Sequence, residues 1–226
     1  MNEIKTRWAG GRHLLTEKTP FAIQEAYKAM RTNVMFSLPG SGCKCVGITS
    51  PSPGEGKSTT AVNLAISLAQ IEKRVLLIDS DMRIPTIAEK LPLDPTPGLS
   101  DFLVGEAKLE DAIRSLDAYG IHVLPSGNIP PDPTGLLESK QLETLFATIR
   151  ETYDYVIVDL PPINTVPDAV ILSRYIDGYL LAVREKQTEH RSINDALKQL
   201  QLGNSNILGF ICTGGNIGKN KYYYRR

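Results

Sequence analysis

The 226 residues suit one domain of α/β size, and 25 basic against 25 acidic residues leave no net charge to draw the chain to nucleic acid or lipid. Hydrophobic residues at 42% and charged residues at 22% exclude a disordered or fibrous class, and no apolar run reaches the roughly 18–20 residues of a membrane helix. The start, MNEIKTRWAGGRH, is basic without an apolar stretch behind it, so no secretory signal is expected. The cysteines Cys43, Cys45 and Cys212 and the histidines His13, His122 and His190 show no metal-ligand spacing. So sparse a set predicts a reducing cytoplasm, with neither a disulfide framework nor a zinc site.

Residues 1–20 are polar, with Gly10, Gly11 and Pro20, and are expected to form a flexible arm. From Phe21 to Phe36 the apolar residues Phe21, Ile23, Ala26, Tyr27, Met30 and Val34 recur at helical spacing. A turn cluster, Leu38 to Cys43, follows. Compact β-branched runs then lie at Cys45–Thr49, Arg74–Asp79, Tyr155–Asp159, Gly178–Val183 and Ile207–Thr213, with a shorter one at Ile121–Leu124. Helical patterns separate them at Lys57–Ile71, Thr134–Tyr153, Pro167–Arg174 and Glu189–Leu202. Strands that are apolar throughout and alternate with helices predict a doubly wound α/β fold, a mainly parallel sheet with helices on both faces. Residues 21–215 form the expected domain, and 216–226 a C-terminal tail. Ligands of such sheets gather beyond the carboxyl ends of the strands.

The first strand runs into Pro53-Gly54-Glu55-Gly56-Lys57-Ser58-Thr59 and then a helix, the order of parts in a P-loop. Gly54 and Gly56 let the backbone wrap so that its N–H groups face a phosphate. The helix start adds its positive end. Lys57 reaches the β- and γ-phosphates, and the Ser58 hydroxyl is a Mg²⁺ ligand. One departure stands out: the usual glycine five residues before Gly56 is Pro51, which lacks an amide donor.

Three aspartates end strands. Asp159 closes Tyr155–Val158, as a Walker B carboxylate holding the Mg²⁺ shell does. Asp79 and Asp81 are two residues apart on an extended chain, so both point one way and repel unless a cation such as nucleotide-bound Mg²⁺ is shared. Each aspartate is also open to a plain capping role. Arg83 is open to three: neutralising the pair, contacting phosphate, or facing solvent.

These residues carry a resemblance. Leu76-Leu-Ile-Asp-Ser-Asp-Met-Arg83 resembles the Walker A′ element of the bacterial tyrosine kinases, and Pro53–Thr59 resembles their Walker A element. Segments Thr96–Leu103 and Pro125–Pro133 and the cluster Tyr222-Tyr223-Tyr224 are similar too, so the resemblance runs from about Glu25 to the end. The related MinD-like partition ATPases share the P-loop and the paired aspartates, but carry a signature lysine near Ser52 and lack a tyrosine tail.

The resemblance implies an ATP- and Mg²⁺-dependent tyrosine kinase that autophosphorylates Tyr222, Tyr223 and Tyr224, with control of capsule or exopolysaccharide synthesis and export. Asp81 is then the base that takes the phenolic proton, and Asp79 stands with Ser58 and Asp159 on the metal side, although the two aspartates are interchangeable at this stage. It also implies a separate transmembrane activator that recruits the kinase to the inner membrane face, a cognate phosphatase, protein-tyrosine substrates and a homo-oligomeric ring. The ring motif, Glu-x-x-Arg-x-x-Arg, is present as Glu25, Lys28 and Arg31, and lysine lacks arginine's bidentate fork.

Related ATPases read adenine with an asparagine after the last strand; here Thr213 leaves that to backbone or to Arg184. From Thr213 to Tyr222 a fully extended tail spans at most about 30 Å, enough for its own site or a neighbour's. Lys219, Lys221, Arg225 and Arg226 flank the tyrosines, and phosphorylation would turn this cationic tail anionic. Tyr27 is the reserve acceptor. The alternatives are a partition-type ATPase switch without kinase activity and a nucleotide-binding adaptor.

Overall fold

The computed structural model describes residues 14–215; residues 1–13 of the expected arm and the tail with Tyr222, Tyr223 and Tyr224 lie outside the described residues. The elements are α1 (Phe21–Ser37), β1 (Lys44–Thr49), α2 (Lys57–Ala69), β2 (Val75–Asp79), α3 (Ile87–Lys90), α4 (Leu99–Leu103), α5 (Leu109–Ala112), β3 (Arg114–Leu116) and β4 (Ile121–Leu124). Then come α6 (Pro133–Leu137), α7 (Lys140–Thr152), β5 (Tyr155–Asp159), α8 (Asp168–Ile171), β6 (Gly178–Arg184), α9 (His190–Leu202) and β7 (Ile207–Thr213).

The strands form one seven-stranded sheet in the order β3-β4-β2-β5-β1-β6-β7. All neighbours are parallel except β3 with β4, so the expected doubly wound fold is present. Because side chains alternate along a strand, the sheet sorts its apolar residues into two cores. Val46, Ile48, Val75, Leu77 and Ile157 pack with α1 and α2. Cys45, Leu76, Ile78, Val156, Val158 and Leu181 pack with α4, α7 and α9 on the other face. Fully burying each such aliphatic side chain contributes about 1.5–3 kcal/mol, which makes the sheet a rigid base for the loops at its carboxyl end.

Three expectations change, and several short elements are added. The single helix 134–153 is two. Asp132 caps α6 by accepting the Gly135 N–H, with Pro133 at the first helical position, and Ser139 caps α7 by accepting the Leu142 N–H. The Pro167–Arg174 pattern is the short α8 followed by a 3₁₀ turn, Leu172–Tyr175. Strand β3 and helices α3 to α5 are too short for a periodic signal to reveal. The described end of the arm is docked: Leu14 and Leu15 are buried, and the Leu15 N–H donates to Asn63 Oδ1 of α2 at 2.8 Å.

Candidate active site

Strand register aligns the chemistry. Ile48 of β1 stands beside Asp159 of β5, and Asp159 stands beside Asp79 of β2. The loop after β1 therefore opens at the same sheet edge as all three aspartates. Its two glycines take left-handed conformations, φ 79° at Gly54 and 87° at Gly56, which side-chain-bearing residues resist. The chain then turns directly into α2, placing Lys57 and Ser58 at the positive end of a buried helix.

Lys57 is nearly buried. Its Nζ lies 2.8 Å from Asp81 Oδ2 and 3.7 Å from Asp159 Oδ2, and 3.4 Å from the Ser58 hydroxyl oxygen. Burial pulls the Lys57 ammonium towards neutrality, but the Asp159 and Asp81 carboxylates outweigh it and leave its pKa above the ordinary lysine value. Asp159 is completely buried, and neither of its oxygens has a hydrogen-bond partner among the described residues. Burial raises its pKa, opposed by Lys57 and the nearby Ser58 hydroxyl.

Asp79 is equally buried and is pushed up to about 8 by burial and by the facing Asp159. Its Oδ1 accepts the Asp81 N–H at 3.2 Å, and its Oδ2 accepts the N–H groups of Thr86 and Ile87 at 3.2 and 3.0 Å. Asp79 thus holds the loop that presents Asp81. Asp81 Oδ1 accepts the Ile84 N–H at 3.1 Å, and the side chain borders a cleft of about 360 Å³ together with Gly54, Lys57, Thr59, Ile84 and Pro162. Asp79 and Asp159 lie beneath that lining.

Arg83, left open by the sequence, makes paired contacts with the buried Asp168 of α8 at 3.2 and 3.3 Å and donates to the Thr134 hydroxyl at 2.8 Å. It ties the aspartate loop to the helical face.

A second cavity, of about 710 Å³, adjoins the cleft across Gly56, Thr59 and Arg184 and runs between α1, α2 and the end of β7. Thr188, Thr213 and Arg184, which the sequence does not tie to the loop, hold it from behind. Glu55 is almost fully buried, accepting the Ser52 N–H at 2.9 Å and the Thr188 O–H at 2.5 Å. Thr213 donates to the Glu55 carbonyl at 2.7 Å, and Arg184 donates to the Gly54 carbonyl at 2.9 Å. The burial of a carboxylate inside a glycine loop is invisible in a sequence.

Of the proposed ring residues, Glu25 and Lys28 pair with each other at 2.8 Å on the exposed face of α1. Arg31 turns inward to the Ser67 carbonyl of α2 at 2.6 Å. Tyr27 accepts a hydrogen bond from Asn63 at 3.2 Å and is half-buried, which raises its pKa.

A P-loop, a cationic helix start and three carboxylates at two strand ends define a nucleotide-binding P-loop protein of phosphoryl-transfer type. The family described as "AAA domain" matches residues 43–205. Tyrosine-protein kinase YwqD of Bacillus subtilis is 41% identical over 88% of this chain and 84% of its own length. Among solved structures, the chimerical protein CapA2B2 superposes with a TM-score of 0.82 at 34% identity, covering 87% of this chain and 86% of that one. The septum site-determining protein MinD of Pyrococcus horikoshii, solved with Mg-ADP, gives 0.64 at 26% identity over 75% and 70%. The chain belongs to the bacterial tyrosine-kinase family, and its P-loop architecture extends to the MinD-like ATPases.

Proposed function

We propose that this protein transfers the γ-phosphoryl group of ATP to tyrosine hydroxyls, those of its own Tyr222, Tyr223 and Tyr224 first, in a neighbouring subunit. The observation that carries the reading is the gathering of Lys57 and Asp81 in the lining of one cleft, with the buried Asp159, whose oxygens accept no hydrogen bond among the described residues, within ion-pair distance of Lys57.

The residues fit a hydrated Mg²⁺. Among the described residues no three His, Cys, Asp or Glu side chains converge as a ready-made cage. Mg²⁺ instead favours one or two carboxylates supplemented by substrate phosphates and water. Asp159, whose oxygens accept no hydrogen bond among the described residues, and the Ser58 hydroxyl would hold it, with Asp79 behind them. When bound, the metal neutralises charge on the phosphates.

The protein's part is binding, orientation and one proton. Lys57 exchanges its Asp81 partner for phosphate oxygens, which frees Asp81 to accept the phenolic proton. A tyrosine ordinarily titrates near 10, so at pH 7 about one in a thousand is ionised, an offset of about 4 kcal/mol that a base at the attacking oxygen relieves. Backbone amides of the loop and the start of α2 spread the charge on the transferring group. The nucleoside takes the adjoining cavity, where Thr213 is committed to the loop and base contacts fall to backbone or to Arg184.

The wider reading follows the kinship. The kinase regulates capsule or exopolysaccharide synthesis and export, and assembles a ring through Glu25, Lys28 and Arg31. It works with a transmembrane activator at the inner membrane face and is reset by a phosphatase. In the protein itself, no helix among the described residues is long and apolar enough to cross a membrane.

Incubation with Mg-ATP followed by anti-phosphotyrosine blotting, with and without an activator tail, tests the proposal. Changing Tyr222, Tyr223 and Tyr224 together to Phe removes most signal while ATP binding persists. ATP hydrolysis with no phosphotyrosine under either condition would replace the kinase by an ATPase switch.

A further inference from the structure

The P-loop of this chain starts short of donors. Pro51 has no N–H, and the next amide, of Ser52, is taken by Glu55 Oε2 at 2.9 Å. A phosphate must therefore be held by amides later in the loop. Those of Glu55 and Gly56 donate to no acceptor among the described residues.

Their direction is set from behind. A trans peptide is planar, and its C=O and N–H point opposite ways. Among the described residues only the Thr96–Pro97 bond is cis. The Gly54 carbonyl shares its plane with the Glu55 N–H, and the Glu55 carbonyl shares its plane with the Gly56 N–H. Arg184, at the end of β6, fixes the first carbonyl at 2.9 Å, and Thr213, at the end of β7, fixes the second at 2.7 Å. The Glu55 side chain is itself anchored to β6 through Thr188, whose hydroxyl accepts the Arg184 N–H at 2.7 Å and donates to Glu55 Oε1 at 2.5 Å.

We infer that Thr213, with Arg184 and the Glu55–Thr188 contact, is a positioning residue for ATP: it holds the Glu55 carbonyl outward, so that the loop amides stand ready for the phosphates before nucleotide arrives. Thr213 therefore acts on the polyphosphate through the loop rather than on the base. The inference rests on the nucleotide-binding reading above.

The test is calorimetric titration of the full chain with Mg-ATP and Mg-ADP. Thr213→Val keeps the shape and loses the hydroxyl. It is expected to weaken both nucleotides about 5- to 10-fold, the equivalent of one hydrogen bond, while Thr213→Ser stays within about twofold of the parent. Thr213→Ala loses the same hydroxyl with less bulk and serves if the valine variant does not fold. In kinase assays the loss falls on KM and leaves kcat nearly unchanged, because the amides hold the donor before and during transfer. Parent-like affinity in the valine and alanine variants, serine as weak as valine, or a loss confined to kcat overturns the inference. A parent protein that binds neither nucleotide, with or without an activator tail, overturns the functional reading itself, and this inference with it.

Discussion

Replacing Lys57 by Met tests the electrostatics of the site without any nucleotide. In the resting protein Lys57 stands 2.8 Å from Asp81 and 3.7 Å from Asp159, and both carboxylates are buried. At an effective dielectric of about 20, those separations correspond to gross attractions of about 6 and 4 kcal/mol. Dehydration of the ammonium offsets much of this, and removing one partner of a buried pair has a net effect of about 3–5 kcal/mol. Methionine fills similar space, so packing changes little.

Differential scanning calorimetry at pH 8 should then show a melting temperature about 10 °C lower for a chain of this size. The deficit should shrink towards pH 5, as Asp159, whose pKa burial already raises, escapes the exposed repulsion by protonating. Adding Asp81→Asn to Lys57→Met should recover part of the lost stability without restoring nucleotide binding. A Lys57→Met protein melting within about 2 °C of the parent at pH 8 would refute the reasoning, because it would mean the carboxylates do not depend on the lysine.

Asp79 sets a pH dependence. Its folded value of about 8 lies above the roughly 3.9 of an unfolded chain, so its contribution to stability is complete below pH 4 and is lost as pH rises through 8, on the order of a few kcal/mol. Asp159 acts in the same direction, whereas the lowered value of Asp154 acts only below pH 4. Urea midpoints of nucleotide-free, metal-free protein should therefore fall between pH 5 and pH 8, with a shallower fall in Asp79→Asn; a rise would contradict the assignment. Arg83→Leu strands the buried Asp168 carboxylate and should destabilise by about 2 kcal/mol, with Asp168→Asn added to it restoring part of the loss in a double-mutant cycle. Gly56→Ala puts a side chain at φ 87° with its Cβ 3.2 Å from Thr213 Cγ2, and should cut Mg-ATP affinity about tenfold or more, read by titration.

What the sequence determined by itself was everything written in short-range pattern. Apolar runs at Tyr155–Val158 and Val75–Ile78, each closed by an aspartate and alternating with helical patterns, point to buried parallel strands. Gly54-Glu55-Gly56-Lys57-Ser58 between a strand and a helix admits little besides a phosphate loop, because conformational freedom, cation and helix start are all local properties. The three-residue β3 and the single-turn α3 left no periodic trace, and the break at Ser139 depended on a cap rather than on hydrophobic spacing.

The tertiary structure alone decided how charges are shared. Asp79 and Asp159 are far apart in sequence but adjacent in register. That is why Asp79 turns to backbone amides, Asp81 takes the cleft and Asp159 faces Lys57 at 3.7 Å with no hydrogen bond among the described residues. Arg83 found Asp168, and Thr213, which reads locally as a lost base contact, found the Glu55 carbonyl. Ion pairing and hydrogen bonding act over a few ångströms of space whatever the chain separation, so no pattern of neighbours along the sequence encodes them.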